Sequence, residues 1–262
     1  MADLKGRRLS LPRRTRDSID FWRANSLQVF ETALASAGLG ASDVKFVDLA
    51  IDRTFLGDSG GPAKDGSLWN AYGLRASQQE EIAALVQGRV DAIVSGGPRG
   101  IENQALLGAH VVYDLARERT RLGWTSNSFP YTLTVSGSLI KDRPDLVARL
   151  YSRVLAAAEW AKTHHDETVR IVAQELGVAE EFVELSFGKS LSQQLEVNLS
   201  PENVAALRLR KDFLLKHGFI QKDFDLDQWI DPAPLAEARR LLAERSPRAN
   251  AKPKAEPALA VA

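Results

Sequence analysis

Apolar positions along the chain follow two rhythms, an alternation of strand-like and helix-like stretches in the first half and an almost uninterrupted helical period in the second. Leu9 to Leu11 form a short apolar stretch that ends in Pro12. Asp17 or Ser18 is then placed to cap a helix whose apolar positions Ile19, Trp22, Val29, Phe30, Ala33, Leu34 and Ala37 recur at helical spacing and stop at Gly38 and Gly40. Val44 to Ala50 is apolar on both alternating faces apart from Lys45 and Asp48, the pattern of a strand covered on both sides in a parallel sheet. These segments predict a strand, helix, strand unit. Ile51 to Arg75 is rich in glycine and holds no sustained period, which predicts a long surface loop.

Ser77 and Glu80 stand at capping-box spacing, with Ile82, Leu85 and Val86 as the buried face of a helix and Gly88 as its stop. Arg89 to Ser95 reads as a buried strand, Gly96 to Gly100 as a tight turn, Ile101 to Leu107 as a short helix, and His110 to Leu115 and Thr132 to Ser136 as two further strands. From Pro144, a residue suited to a helical first turn, the apolar positions Leu146, Val147, Leu150, Val154, Leu155 and Trp160 define a long helix. Helices over Val169 to Leu176, Glu180 to Leu185, Pro201 to Lys216 with Ser200 as cap and Gly218 as stop, and Leu235 to Ala243 complete this half. Ser246 to Ala262 carries Pro247, Pro253 and Pro257 among alanines, and is expected to be a disordered tail.

Composition narrows the function. The 262 residues carry 34 Lys plus Arg against 34 Asp plus Glu, and a neutral chain lacks the charge needed to coat nucleic acid or anionic lipid. There is no cysteine, so this polypeptide holds no disulfide, no thiolate metal site and no thiol nucleophile. Met1 is followed by Asp3, Lys5, Arg7 and Arg8 with no signal-peptide core, and apolar runs such as Ile82 to Val86 fall far below the ~20 residues of a membrane span. A cytoplasmic protein without membrane insertion is expected from the chain as given.

Several candidate motifs lose their chemistry in context. Gly57 to Pro62 spells the string around the nucleophilic serine of chymotrypsin-like proteases, but His110, His164, His165 and His217 all follow Ser59, and the flanking pattern is not that of β-hairpins. Adjacent His164 and His165 point roughly 100° apart on a helix and cannot share a metal unaided. Asp166, Glu167, Glu180 and Glu181 show no spacing that distinguishes a catalytic pair from a charged face. No metal, cofactor or catalytic residue is assigned. Two strand ends are more suggestive, because ligands of open α/β sheets bind outside the carboxyl ends of the strands, where helix N-termini favour negative charge. The first offers Arg14 and Arg16 beside the hydroxyls of Thr15 and Ser18; the second offers Ser95, the freely bending Gly96, and Arg99. Both suit a small oxyanion held by charge and hydrogen bonds.

Asp3 to Arg8, reading Asp, Leu, Lys, Gly, Arg, Arg before an apolar strand, resembles the segment where type 2 periplasmic binding proteins of the sulfonate, nitrate and taurine class pass into their second lobe. Leu85 to Ala92, Pro144 to Trp160, and Phe213 to Trp229 with Ile230 and Asp231 are similar to later parts of the same family. Within it the likeness runs to the aromatic sulfinate desulfinase branch. The resemblance implies an α/β fold with one intact lobe over residues 3–125, a mainly parallel sheet, and a return crossover with C-terminal helices of an incomplete first lobe over 126–245. It implies capture of a small anionic or sulfur-containing ligand, an ABC transporter permease as a further partner, and a periplasmic location if a leader precedes the chain. In the desulfinases an earlier stretch carries the nucleophilic cysteine with its assisting histidine and arginine. This chain has no position for that cysteine, so desulfinase-like carbon–sulfur hydrolysis would need a thiol from an upstream segment or a partner chain.

Overall fold

The computed structural model describes residues 2–16, 20–52, 78–118, 121–126 and 130–249. The predicted strand, helix, strand unit is present. β1 (Arg8–Arg14) and β2 (Lys45–Ile51) pair in parallel, with Arg8 opposite Lys45 and Arg14 opposite Ile51, and α1 (Phe21–Ala35) crosses between them. On the other side of β1 the chain after α2 (Gln79–Val86) lies alongside in the same direction. There Leu9 bridges Ala92, the Asp91 amide donates to the Arg8 carbonyl at 2.7 Å, and the Ser10 amide donates to the Ala92 carbonyl at 3.0 Å.

The expected strand over Arg89 to Ser95 is therefore reduced to a single bridge, and Pro12 is the reason. The next ladder bond would run from residue 12 to the Val94 carbonyl, and proline has no N–H to give. The side-chain amide of Gln78 donates to that carbonyl instead, at 3.1 Å.

β1 is thus central. Its connection to β2 passes over one face, where Leu9, Phe30, Leu34 and Val44 form a buried cluster joined by Phe46, Ala92 and Val94. The return from β2 passes over the opposite face, where Leu49, Ala84 and Val90 pack with Val47, Leu85 and Ile93. The carboxyl end of β1 therefore lies between connections packed on opposite faces of the sheet, the place where open α/β sheets take their ligands.

Several expectations need correction. α1 is capped by Asp20, whose carboxylate accepts the Arg23 amide at 3.0 Å, rather than by Asp17 or Ser18, which lie outside the described residues. The N-cap of α2 is Gln78, with no side-chain cap bond, and Ser77 is also outside the described residues. The buried side of α2 consists of Glu81 and Ala84, while Val86 is 68% exposed, since a small alanine lets the helix backbone approach the sheet closely. Residues 96–100 open α3 (Gly97–Leu107), with Pro98 in the first turn, instead of forming a separate turn. His110 to Leu115 and Thr132 to Ser136 are not strands. Among the described residues no strand lies beside them, an extended segment without a ladder partner gains no backbone bonds, and Val111, Val112, Tyr131 and Leu133 stay exposed. Most of the predicted 51–75 loop lies outside the described residues.

The second half is helical, as the periodicity predicts: α4 (Arg121–Ser126), α5 (Gly137–Asp142), α6 (Pro144–Ala161), α7 (His165–Leu176), α8 (Glu180–Phe187), α9 (Leu191–Gln194), α10 (Pro201–Lys216), α11 (Leu226–Trp229) and α12 (Ala233–Ala249). Leu155 of α6 meets Leu235 and Ala238 of α12, and Val169 and Ala173 of α7 meet Val183 of α8. α10 starts on Ser200, whose hydroxyl accepts the Asn203 amide at 3.3 Å. α12 runs past the expected tail boundary at 246 to Ala249. The two halves are stitched along α1, where Thr32 and Ser126 hydroxyls lie 2.7 Å apart, His217 lies 3.3 Å from Glu31, and Arg210 donates to Gln28.

Candidate functional site

The carboxyl end of β1 is organised by one carboxylate. Asp20 accepts the Arg14 amide on one oxygen at 2.7 Å and the Arg23 amide on the other at 3.0 Å, so it caps α1 and fixes the strand exit together. Thr15 continues the ladder for one residue, its amide donating to Ile51 at 3.2 Å and its hydroxyl to Asp52 at 3.1 Å. Arg16 pairs with both oxygens of Asp52, at 2.8 and 3.2 Å, and these bonds with that of Thr15 hold the Asp52 carboxyl below its ordinary range. Arg16 is on the surface, whereas Arg14 is 4% exposed, its guanidinium 5.9 Å from the centre of the Trp22 ring.

Beneath this edge lies a group that the sequence patterning passes over. Glu81 is fully buried between α2 and β1, with one oxygen accepting from the Ser10 hydroxyl at 3.2 Å and the other from the Trp22 indole N–H at 3.1 Å. Burial pushes its carboxyl up to about 7, against the opposing pull of the Trp22 and Ser10 bonds and the charge of Arg14. The available signal is the i, i+3 pair Glu81 and Ala84, which is less apolar than Ile82 with Leu85 and so reads as the solvent side.

The second predicted strand end follows the bridge at Ala92, on the segment that runs parallel beside β1. Ser95 donates to the Gln78 amide oxygen at 3.2 Å and accepts from Asn103 at 3.0 Å, and Asn103 also reaches that Gln78 oxygen at 3.1 Å. Gly96 is the N-cap of α3 and has no side chain with which to satisfy the first-turn amides. Gly100 is required by space, because a Cβ there would sit 3.0 Å from the Ser95 carbonyl.

The proposed cluster is brought together only in part. Arg14, Thr15 and Arg16 lie at the β1 exit, while Ser95 and Gly96 follow the bridge beside β1 and lead into α3. Arg99 is in the first turn of α3, 3.7 Å from Glu102 on the same helix, and turns to the helical half, where it donates to the Leu176 carbonyl. Its own helix carries it around, since a residue at that point of the first turn faces α7 and α8. Ser18 and the Gly57 to Pro62 string lie outside the described residues.

The histidines take ordinary roles: His164 is the N-cap of α7 and stacks on Trp160 at 4.4 Å, and His165 lies 3.9 Å from Glu184. Among the described residues no group of His, Asp and Glu could hold a metal ion. The arrangement offers buried and surface guanidinium charge, hydroxyls and backbone amides, which can hold an oxyanion.

No family model matches the chain. Over 152 residues it is 35% identical to the 2'-hydroxybiphenyl-2-sulfinate desulfinases of Rhodococcus erythropolis and Rhodococcus qingshengii, a match that takes in 58% of this chain. The chain spans about 40% of the length of these curated relatives. The desulfurization enzyme DszB, solved as a cysteine-to-serine variant in complex with biphenyl-2-sulfinic acid, superposes with a TM-score of 0.64 at 25% identity, over 92% of this chain and 72% of DszB. The periplasmic sulfonate-binding protein SsuA from Methylobacillus flagellatus KT superposes at 0.59 with 16% identity, over 98% of this chain and 66% of SsuA, a likeness of fold alone. The expected α/β fold of the type 2 periplasmic binding proteins is the fold this chain has. No helix among the described residues is long and apolar enough to cross a membrane.

Proposed function

We propose, from the fold this chain shares with sulfonate-binding SsuA and the desulfinase DszB, that it captures a small organosulfur oxyanion, a sulfinate or sulfonate, at the carboxyl edge of β1. The observation that supports this reading is that the segment carrying Ser95 and Gly96 runs parallel beside β1 from its bridge at Ala92, toward the same end as Arg14, Thr15 and Arg16, and leads into the uncapped start of α3. Arg14 is the principal cation, since a guanidinium withdrawn from water makes its strongest bond to an oxyanion. Arg16, already shared with Asp52, adds charge at the rim. Residues 3–125 act in this reading as one binding lobe, residues 126–245 contribute helices of the other, and delivery to an ABC permease would follow from it. The test is calorimetric titration of benzenesulfinate, methanesulfonate, sulfate and nitrate. Arg14→Ala removes a charge-assisted bond worth roughly 1.5 to 3 kcal/mol and weakens binding by about one to two powers of ten. Equal affinity in wild type, Arg14→Ala and Arg16→Ala would remove the site.

A second reading is favoured by the 35% identity to the desulfinases: hydrolysis of an aryl carbon–sulfur bond with the thiol nucleophile supplied by an upstream segment or by another polypeptide. Nucleophile and base must lie within hydrogen-bond reach of each other. The chain alone is therefore expected to release no sulfite from 2'-hydroxybiphenyl-2-sulfinate, and measurable release would show that it needs no thiol.

A further inference from the structure

We propose that Glu81 is the positioning residue of this edge, setting the Arg14 guanidinium through Trp22 and competing with a bound anion for its charge. The inference rests on the reading of the β1 exit as an anion site.

Three features of the geometry carry it. Glu81 reaches from α2 beneath the central strand, and each of its two oxygens is held by a separate element, one by Ser10 of β1 and the other by Trp22 of α1. The indole so fixed presents its ring to Arg14, at 5.9 Å. Arg14 is in turn tied at its backbone by Asp20, which fixes the point at which its side chain leaves the strand. Carboxyl, indole and guanidinium thus form one chain of contacts from α2 to the strand exit.

Among the described residues the other groups around Glu81 are silent. The cluster packed against α2 at Ala84 is apolar, with Val47 and Leu49 of β2 and Val90 and Ile93 of the segment beside β1. On α2 itself Glu80 is paired with Arg89 at 2.8 Å, and on α1 Arg23 turns to Asp48 at 2.8 Å. Among these residues Arg14 is then the cation that acts on Glu81. An oxyanion arriving at Arg14 brings a second negative charge against the same guanidinium. Like charges at a shared partner favour protonation of the buried carboxyl, so the anion binds with uptake of a proton onto Glu81.

The experiment uses the full chain and two readouts. The first is benzenesulfinate affinity between pH 6 and 8 for wild type, Glu81→Gln and Glu81→Ala. Wild-type affinity is expected to rise about tenfold as pH falls through the Glu81 range, the equivalent of one pKa unit of interaction. Glu81→Gln keeps one acceptor oxygen for the Trp22 indole and turns its amide NH2 to the Ser10 hydroxyl, which then accepts, and it should bind at the wild-type acid level with no pH dependence. Glu81→Ala loses the fixed indole and should bind more weakly at every pH. The second readout is the Trp22 indole N–H resonance, assigned by Trp22→Phe, which should titrate near pH 7 in wild type and stay constant in Glu81→Gln. Binding with the same pH profile in wild type and Glu81→Gln overturns the inference and leaves the anion site standing. A titrating indole with no sulfinate binding keeps the Glu81 to Trp22 coupling and overturns the anion site. An indole that does not titrate overturns the positioning role outright.

Discussion

Replacing Glu81 by glutamine should change how stability depends on pH in a way no surface carboxylate can match. The carboxyl moves from an ordinary value of 4.5 in the unfolded chain to about 7 when folded, chiefly because burial disfavours the charged form. A folded-state value raised in this way makes the protonated form the stabilising one. The contribution is fully present below about pH 4.5 and is lost as pH rises through about 7. The difference between 4.5 and about 7, at 1.36 kcal/mol per pKa unit, corresponds to about 3 kcal/mol. The glutamine side chain of Glu81→Gln has no proton to lose and nearly the same shape, so the variant should lack this decline. Urea unfolding at intervals from pH 5 to 8 measures the difference directly, because other titrating groups cancel between the two proteins. The variant is expected to gain on the wild type by about 2.5 kcal/mol across that range, most of it between pH 5 and 7, the first part of the loss falling below pH 5. A difference that is constant with pH would refute the argument and mean that Arg14, Ser10 and Trp22 hold the carboxylate charged at no cost.

Asp20→Ala removes both the α1 cap and the acceptor of the Arg14 amide, and thermal or urea unfolding should show a loss of about 1 to 2 kcal/mol. Leu34→Ala, at a position with no exposure between α1 and the sheet, should cost about 2 to 5 kcal/mol by the same measurement. Tyr131 and Leu133 are 80% and 49% exposed on one extended segment, so the chain should associate with rising concentration in sedimentation velocity, and Leu133→Lys should reduce that association. Arg99→Ala should leave benzenesulfinate affinity unchanged in calorimetry while lowering stability, because its bond to Leu176 ties α3 to the helical half.

The helices of the second half are readable from sequence because each obeys local rules. Ser200, Pro201 and Gly218 bracket α10 without reference to anything outside it, and Pro144 does the same for the start of α6. Strands are different, since a strand exists only where another backbone accepts its bonds. The Arg89 to Ser95 stretch has strand composition and lies in a strand position, yet one proline on its neighbour and the intervention of Gln78 reduce it to a bridge. His110 to Leu115 and Thr132 to Ser136 have the composition without a neighbour among the described residues. The candidate site divides in the same way. Position alone puts Arg14, Thr15 and Arg16 at the strand exit, but the direction of Arg99 depends on which helices pack against α3. Glu81 escapes the pattern because its burial is decided by Ser10, Trp22 and Arg14, which are distant from it in sequence.

The double role of Asp20 has a mechanical consequence. α1 is a rod of 15 residues, about 22 Å long, bolted at its start to the strand exit by one carboxylate. Farther along, Gln28 and Thr32 bind it to Arg210 and Ser126, with His217 beside Glu31. A beam clamped at one end and pinned along its length cannot tilt without breaking bonds in both halves of the molecule. The backbone of Arg14 therefore keeps its place whether or not anything is bound, and any adjustment to a ligand falls to side chains alone.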